Sequence, residues 1–309
     1  MALPTDPTIS TIASEALQKA GYNTTTSQYT AKLTRATTYW AEEVKNDIFS
    51  LMKNPKYLQK TAVVTLTANK SKYQFPTDFS TPISVTLLSG TKTGTAQAGA
   101  ASTITLAAAD ANTAGDVEGK EIVITGGTGP NQVRQVIDYD ATTKIATVDQ
   151  AWATNPASGS TYLIVDGYDE LREEPIWGHD SNTAIPELGY PYSYYPEGEK
   201  ASSQTAATYT GGFIVAPTPD TNYTYVVKVR YYMDMMKVDL DTSVDPTITV
   251  LYRRWRNVWL QGIYCKALQD MDDNRYGSEF GVYDKLLKSV QARETYGVDL
   301  NDMRMRVTG

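Results

Sequence analysis

The chain has 309 residues, of which 20% are charged and 41% are hydrophobic, proportions typical of a globular protein and unlike those of a disordered one. Its net charge of −7 is unevenly placed: residues 1–60 carry 7 basic and 5 acidic groups (+2), residues 245–309 carry 10 and 9 (+1), and the remainder carries 11 and 21 (−10). The acidic middle argues against sequence-specific nucleic-acid binding, and the single cysteine, Cys265, excludes an internal disulfide.

Two amphipathic helices are predicted at the start of the chain. The Asp-Pro pair at residues 6–7 opens a short helix with apolar residues at intervals of three and four, and Gly21 ends it. A longer helix begins at Thr26 or Ser27 and ends before the Asn-Pro pair at residues 54–55. The apolar stripes of both helices must be buried against other apolar surfaces.

From residue 61 the apolar residues alternate as they do in strands. Residues 61–88 predict a strand, a turn and a second strand, because Pro76 is excluded from the middle of a sheet. Residues 91–165 are rich in Gly, Ala and Thr, with hairpin turns predicted at residues 126–130 and 140–143. Short strands are predicted there at residues 103–106, 121–125, 132–139, 144–148 and 162–165. We interpret residues 91–165 as a small all-β module, sandwich-like or barrel-like, inserted into a surface loop and removable without unfolding the remainder.

The segment after this module is first acidic and then rich in tyrosine. Residues 166–180 hold six acidic side chains, and four tyrosines follow among prolines at residues 190–195 without a clear period. Residues 213–216 and 223–231 then show the alternating pattern of β-strands on either side of a Pro/Asp turn. This pattern predicts a β-hairpin.

Two further amphipathic helices close the chain. Asp245 caps a long helix that runs to about residue 272, residues 274–277 interrupt it, and a second helix runs to about residue 294. These helices need the same kind of apolar partner as the N-terminal ones. We therefore expect an α+β fold in which the N- and C-terminal helices form one α-helical bundle and a β-sheet middle carries the inserted module. The expected divisions are a core of residues 1–90 and 166–300, the module of residues 91–165, and a C-terminal tail of residues 296–309.

Patterns for catalysis and metal binding are weak. His179 is the only histidine, so neither a Ser-His-Asp nucleophile system nor a zinc site with Cys265 is supported. The carboxylates at residues 173–174 are adjacent on an irregular loop, which is more typical of solvated side chains than of the catalytic pair of a glycosidase. Residues 126–130 lack the Lys-Ser/Thr of a phosphate-binding loop, and residues 270–281 lack the Gly and Glu of a calcium loop. We therefore predict no enzymatic activity, no cofactor and no metal.

Arginines and aromatic residues on the predicted helices are candidate contacts between subunits. The arginines at residues 253–256 make the start of the long C-terminal helix basic, and they pair either with acidic neighbours of their own chain or with those of an adjacent subunit. The chain has 22 tyrosines against 5 phenylalanines, which suits surfaces where a ring packs and its hydroxyl is hydrogen-bonded. The candidate interface residues are Trp40, Tyr252, Arg253, Arg254, Arg256 and Trp259.

Two short sequence motifs lie between the N-terminal and the C-terminal helices. The first is Phe-Pro-Thr-Asp-Phe at residues 75–79, and the second is Ile-Val-Ala-Pro-Thr-Pro-Asp at residues 214–220, followed by Tyr223. With the two N-terminal helices and the closing long helix, they resemble the head-to-tail adaptor proteins of tailed bacteriophages, in particular the tail tubular protein A type of short-tailed phages. The resemblance covers residues 1–90 and 166–300.

The resemblance implies a structural virion protein of the tail or neck, made in the host cytoplasm and without a membrane partner. It implies a ring of twelve copies that docks beneath the portal protein, lines the DNA ejection channel without sequence-specific contacts, and presents a platform to the next tail component, a nozzle or tail tube. The module would face a tail fibre, a spike or the capsid. The implied portal-binding residues are Tyr296, Leu300, Met303, Arg304, Met305, Arg306 and Val307.

Two other functions stay open at this point. A receptor- or carbohydrate-binding tail protein would act through the inserted module and use the helices as an anchor. Deleting residues 92–164 would remove host binding from such a protein, whereas an adaptor would still assemble on the portal. A hydrolase of cell-surface polymer would depend on Glu173 and Glu174, so turnover abolished by Glu173→Gln or Glu174→Gln would support it.

Overall fold

The structure is a computed structural model that describes residues 8–52, 58–175, 187–197, 211–234, 238–240 and 247–296, with the backbone alone described at residues 247–250 and 293–296. Its fold is mixed α+β with several sheets. The chain divides into two compact units, one from Met1–Gln59 and Tyr232–Gly309 and the other from Lys60–Tyr231. We call them the helical unit and the β unit. No helix among the described residues is long and apolar enough to cross a membrane.

The helical unit draws its helices from both ends of the chain. They are α1 (Ile9–Ala20), α2 (Ser27–Arg35), a π-helical turn (Ala36–Trp40), α3 (Ala41–Ser50), α4 (Thr247–Arg254), α5 (Arg256–Asp270) and α6 (Tyr276–Tyr296). The Thr8 hydroxyl caps α1, and Gly21 ends it at φ 103°, a left-handed conformation that a residue without a Cβ adopts easily. α2, the π-helical turn and α3 follow one another without a break, so the predicted longer helix is present.

α5 lies at the centre of the helical unit. Nine of its residues are buried, so the helix is covered on more than one side, and it packs against α1, α3 and α6. The helices approach closely at Gly262, where an added Cβ would lie 2.6 Å from Val44 and 2.8 Å from Tyr283. Glycine therefore sets the distance between three helices. One hydrophobic core joins residues from both ends of the chain.

The helix predicted over residues 245–272 is two helices in the structure. Trp255 leaves the helical conformation between α4 and α5, with φ −117° and ψ 25°. Leu251 on α4 and Val258 on α5 are seven residues apart, which places both on one helical face, and both are buried in the same core. The apolar pattern continues through Trp255 and therefore did not indicate the break.

The β unit is built from several sheets. The strands are β1 (Gln59–Thr65), β2 (Lys72–Gln74), β3 (Phe79–Gly90), β4 (Lys92–Thr95), β5 (Ala98–Ala100), β6 (Thr103–Thr105), β7 (Glu121–Gly126), β8 (Gln132–Asp140), β9 (Ile145–Val148), β10 (Thr161–Ile164), β11 (Gly167–Glu170), β12 (Arg172–Glu173), β13 (Leu188–Gly189), β14 (Ser193–Glu197), β15 (Gly212–Ala216), β16 (Thr218–Pro219) and β17 (Thr224–Met233). Two four-stranded sheets have the orders β1-β17-β3-β11 and β12-β14-β15-β2. A seven-stranded sheet has the order β4-β10-β7-β8-β9-β6-β5, and β13 pairs with β16.

The seven-stranded sheet closes on itself. β4 and β5 are consecutive in the chain, yet they form its two ends, β4 paired with β10 and β5 with β6. Between them, the Ala96 N–H donates to the Ser160 carbonyl and the Gln97 N–H donates to the Thr105 carbonyl, which continues both ladders. The result is a small barrel over residues 92–164, filled by apolar side chains. We call it the barrel.

A second apolar layer joins the barrel to the sheet that contains β1, β3 and β17. This cluster of buried residues consists of Val63, Leu88, Val123, Leu163, Val165 and Val226. Val123 and Leu163 belong to barrel strands, whereas Leu88 and Val226 belong to the neighbouring sheet. Removing the barrel would therefore expose apolar side chains that are now buried.

The β-hairpin predicted from residues 213–216 and 223–231 is wrong. β15 lies between β14 and β2, whereas β17 lies between β1 and β3 in another sheet. The short strand β16 stands between them in the chain and pairs with β13. Alternation indicates which residues form a strand but leaves open which sheet that strand joins.

Candidate interaction sites

The structure separates the six candidate interface residues into two groups. Trp40, Tyr252 and Trp259 are at most 5% exposed and belong to the core of the helical unit. Trp259 packs edge-on against Tyr252 with the ring centroids 5.0 Å apart, and the Tyr252 hydroxyl donates to the Leu240 carbonyl at 2.8 Å. These three aromatic side chains stabilise their own chain, which corrects their assignment to a subunit interface.

The three arginines lie at the surface of the helical unit. Arg253 and Arg254 are exposed, and the Arg254 guanidinium lies 5.5 Å from the centroid of the Trp255 ring. Arg256 forms an ion pair with Glu15 of α1. Pairing within the chain is thus present for Arg256, and Arg253 and Arg254 lie exposed at the surface.

Acidic groups at the end of α5 are ion-paired. Asp270 contacts Lys32 and, at 3.0 Å, Arg35. Hydrogen bonds from Arg275 lower the pKa of Asp273 from 3.8 to about 2. These carboxylates are engaged by cations of the same chain, and the described residues contain no group of three or more His, Cys, Asp or Glu side chains placed to hold a metal ion.

Buried polar contacts connect α5 to the helices around it. The Gln261 side chain accepts a hydrogen bond from Lys19 of α1 at 2.9 Å and donates to the Glu279 carboxylate of α6 at 2.8 Å. Burial raises the pKa of Cys265, one turn further along α5, to about 11. Its thiol is therefore protonated at neutral pH and is a poor nucleophile.

The residues predicted to contact a portal lie mostly beyond the part of the chain that the structure describes. Tyr296 is the last residue of α6, where the backbone alone is described. The other six, from Leu300 to Val307, follow it and fall outside the described residues, as do His179 and the predicted helix start at residues 6–7. Their proposed roles stay predictions.

Glu173 and Glu174 each accept a hydrogen bond from a different tyrosine. β12 runs parallel to β14, which brings the Tyr194 hydroxyl 2.7 Å from Glu173 and the Tyr195 hydroxyl 3.0 Å from Glu174. Tyr194 and Tyr195 are consecutive residues of β14 and point to opposite faces, so the carboxylates that they contact lie on opposite sides of the sheet. They are not placed to flank one glycosidic bond.

Pairs of tyrosine and carboxylate recur across the β unit. Further tyrosine hydroxyls donate to carboxylates in the pairs Tyr162–Asp110, Tyr190–Asp169, Tyr225–Asp220 and Tyr231–Asp78. Burial, and then the carboxylate partner, raise the pKa of Tyr194, Tyr225 and Tyr231. Much of the high tyrosine content therefore serves internal contacts of this chain.

Two clefts of the β unit have room for part of a partner. The larger, of about 720 Å³, lies between β1, β2 and the barrel turn at residues 130–131, and Lys72 and Glu197 on its wall are paired at 2.9 Å. The smaller, of about 420 Å³, is lined by residues 82–85 of β3, by residues 170–173 and by Tyr194. We call the smaller cleft the β3 groove. Sequence patterns did not predict either cleft, because each depends on where paired strands diverge.

The two sequence motifs on which the adaptor resemblance is based have structural roles in the β unit. Phe75 and Phe79 stack with their ring centroids 3.9 Å apart, and Asp78 accepts hydrogen bonds from Tyr231 and Lys60. Burial raises the pKa of Asp78, but these hydrogen bonds, the charge of Lys60 and a backbone hydrogen bond together lower the pKa overall. No protein-family model matches this chain, and no curated protein sequence matches it.

Proposed function

We propose that this protein is a structural virion component, a head-to-tail adaptor of a tailed bacteriophage that forms a ring beneath the portal. The observation that supports this most is the single hydrophobic core shared by α1–α3 and α4–α6. An adaptor ring needs a rigid helical bundle in each copy, and here both ends of the chain contribute to one. In this proposal the ring lines the channel through which the genome passes, without sequence-specific contacts to DNA, and the barrel is the inserted module.

A closed ring requires that two different surfaces of neighbouring copies meet. The helical unit offers Tyr39, 66% exposed on the π-helical turn, and Phe280, 47% exposed on α6. Arg253 and Arg254 are exposed on α4. Aromatic and arginine side chains are enriched in protein interfaces. We therefore assign contacts between copies to these four side chains, in place of the buried Trp40, Tyr252 and Trp259.

The test is to measure mass with and without the portal protein of the same particle. By mass photometry we expect the isolated protein to be a monomer or loose oligomer and to form a closed ring when the portal is added. The double variant Arg253→Glu and Arg254→Glu should reduce ring formation, and Asp138→Asn, an exposed residue of the barrel, should leave it unchanged. This function would be ruled out if the protein did not bind the portal, or if electron microscopy located it at the tip of a tail fibre.

A receptor- or carbohydrate-binding tail protein is the alternative, and the surface of the barrel is the observation that favours it. Ile137 on β8 and Ile145 on β9 are 59% and 38% exposed. Substituting both by Asp would abolish binding to host cells if the barrel were the binding part. The same variant should assemble on the portal normally if the protein is an adaptor.

A further inference from the structure

β3 extends beyond its partner β11, which leaves part of one edge open. β11 pairs with residues 86–89 of β3, and the Leu171 N–H donates to the Val85 carbonyl at 2.8 Å. The chain then turns away, since the Arg172 N–H donates to the Tyr192 carbonyl beside another sheet. Within the described ranges, no strand pairs with residues 79–84 of β3 on this side.

The open edge presents backbone donors and acceptors. In an antiparallel ladder, alternate residues of a strand direct their N–H and C=O groups to the same neighbour. Val85 directs its carbonyl to the β11 side, so Ile83 and Thr81 direct their backbone groups to the open part of that side. Pro82, which has no N–H, faces the opposite neighbour and does not block this edge. The edge is therefore suited to the addition of an extended segment.

The β3 groove runs along this edge and combines apolar side chains with two acidic residues and one basic residue, Arg172. Ile83 is 41% exposed, and Val85 and Leu171 are buried beneath the groove. Glu170 and Glu173 are exposed on its other side. An added strand directs alternate side chains to opposite faces. The segment that fits this groove therefore alternates apolar and basic residues.

We propose that the C-terminal tail of a second copy of this chain adds a strand to the open edge of β3. Residues 303–307 read Met-Arg-Met-Arg-Val, which alternates apolar and basic residues with the period of a strand. Arg304 and Arg306 complement Glu170 and Glu173 across the groove. The 13 residues after Tyr296 span up to about 45 Å when extended, a length that allows the tail to reach a neighbouring molecule.

The assignment to a second copy rests on the proposed function, in which the free protein forms a loose oligomer before it meets the portal, and the tail and the groove are two different surfaces that join such copies. The portal contact of the proposed function uses the same tail. Binding to the groove and binding to the portal therefore exclude each other, and portal should displace the tail from the groove.

Binding to the groove is tested without any portal. A fluorescent peptide of residues 297–309 is titrated against protein that ends at Tyr296, and anisotropy is measured at several salt concentrations. We expect saturable binding that weakens with salt, and the double variant Glu170→Gln and Glu173→Gln should weaken it by about 3- to 10-fold. Asp138→Asn, which removes an exposed carboxylate from the barrel, should leave it unchanged. Absence of saturable binding, or equal effects of the two variants, would overturn the proposal.

Two methylated peptides distinguish strand addition from simple charge attraction. One peptide carries N-methyl groups at Met303 and Met305, and the other carries them at Arg304 and Arg306. Alternate amides of an added strand face β3, so one peptide should lose binding and the other should keep it. Equal affinities for the two peptides would overturn strand addition.

The identity of the donor copy is tested with mixed isotopes. Heavy and light full-length protein are mixed, cross-linked between the tail and the β3 groove, and analysed by mass spectrometry. Links between heavy and light chains support donation by a second copy, whereas links confined to chains of one mass overturn it. A failed peptide titration leaves portal-driven ring formation unaffected, and a failed ring experiment leaves the peptide affinity measurable, so the two proposals fail separately.

Discussion

Gly262 determines how closely three helices approach, although it stands inside a helical pattern where glycine usually weakens the helix. Relative to alanine, glycine in a helix interior costs about 1 kcal/mol. Here the missing side chain leaves room for Val44 of α3 and Tyr283 of α6, whose atoms would lie 2.6 and 2.8 Å from an added Cβ. Both neighbours are buried, so neither can move aside without disturbing the core.

Gly262→Ala should therefore destabilise the protein by about 1–3 kcal/mol through overpacking. Gly277→Ala is the matched control, because Gly277 also lies in a helix and an added Cβ there meets nothing within 4 Å. That control should be neutral or should stabilise by up to about 1 kcal/mol. Urea unfolding followed by circular dichroism measures the free energy of unfolding of both variants. Equal effects of the two changes would show that the close approach at Gly262 does not affect stability.

Cys265 makes the stability of the helical unit depend on pH in the alkaline range. Burial raises the pKa of its thiol to about 11, compared with 9.0 for an unperturbed thiol. Because the pKa is higher in the folded state, the associated stability is complete below pH 9 and is lost as the pH rises through 11. The loss is on the order of 3 kcal/mol over this range, at about 1.4 kcal/mol per pH unit.

Cys265→Ala should lose less stability than the unmodified protein between pH 9 and 11. The tyrosines whose pKa is raised by burial also lose stability above pH 10, but they are the same in both proteins. The difference between the two free energies of unfolding, measured at each pH, therefore isolates the thiol. A difference that stays constant with pH would mean that the thiol ionises as easily in the folded protein as in the unfolded one.

At the scale of secondary structure, local sequence patterns predict helix ends and hairpin turns correctly, but they do not predict which distant strands pair. Gly21 ends α1 as predicted, and the predicted turns at residues 126–130 and 140–143 join β7 to β8 and β8 to β9. Helix caps and hairpin turns depend on neighbouring residues, so the sequence carries their signal. The sheets of β15 and β17, and the parallel pairing of β12 with β14, depend on residues far along the chain.

The candidate interface shows the same limit. The arginines near residue 254 are predictable as surface groups because charged side chains are seldom buried, and Arg253 and Arg254 are exposed. Trp40 and Trp259 lie on apolar stripes, and periodicity alone does not distinguish a stripe that packs within the chain from one that meets another subunit. The β3 groove had no local signal, since it exists where the chain leaves β3 after Leu171.

Deleting residues 92–164 should impair folding of the remainder, because Leu88 and Val226, both fully buried against the barrel, would be exposed. The deletion variant is expected to aggregate. Adding Leu88→Thr and Val226→Thr to the deletion should restore soluble, folded protein. Soluble yield and cooperative thermal unfolding measure the outcome, and a deletion variant that folds without these substitutions would show that the apolar layer is dispensable.

At the scale of the whole molecule, each unit has its own hydrophobic core. The core of the helical unit contains residues from α1 to α6, and the β unit contains separate cores inside the barrel and between its sheets. Multidomain proteins commonly unfold in more than one transition for this reason.

Calorimetry should therefore resolve two unfolding transitions. Gly262→Ala should lower the midpoint of one transition, and Leu163→Ala, a fully buried residue of β10, should lower the midpoint of the other. Single-transition unfolding, with both variants shifting the same midpoint, would contradict independent cores.

A helical unit assembled from both ends of the chain also imposes an order on synthesis. At typical translation rates of about 5–20 residues per second, α3 leaves the ribosome roughly 10–40 s before α5 is made. Over that interval the apolar faces of α1 and α3 lack the helix that later covers them, while Lys60–Tyr231 emerges complete. The nascent chain must keep α1 and α3 from aggregating until α5 is made, so demand for chaperones should fall on these two helices.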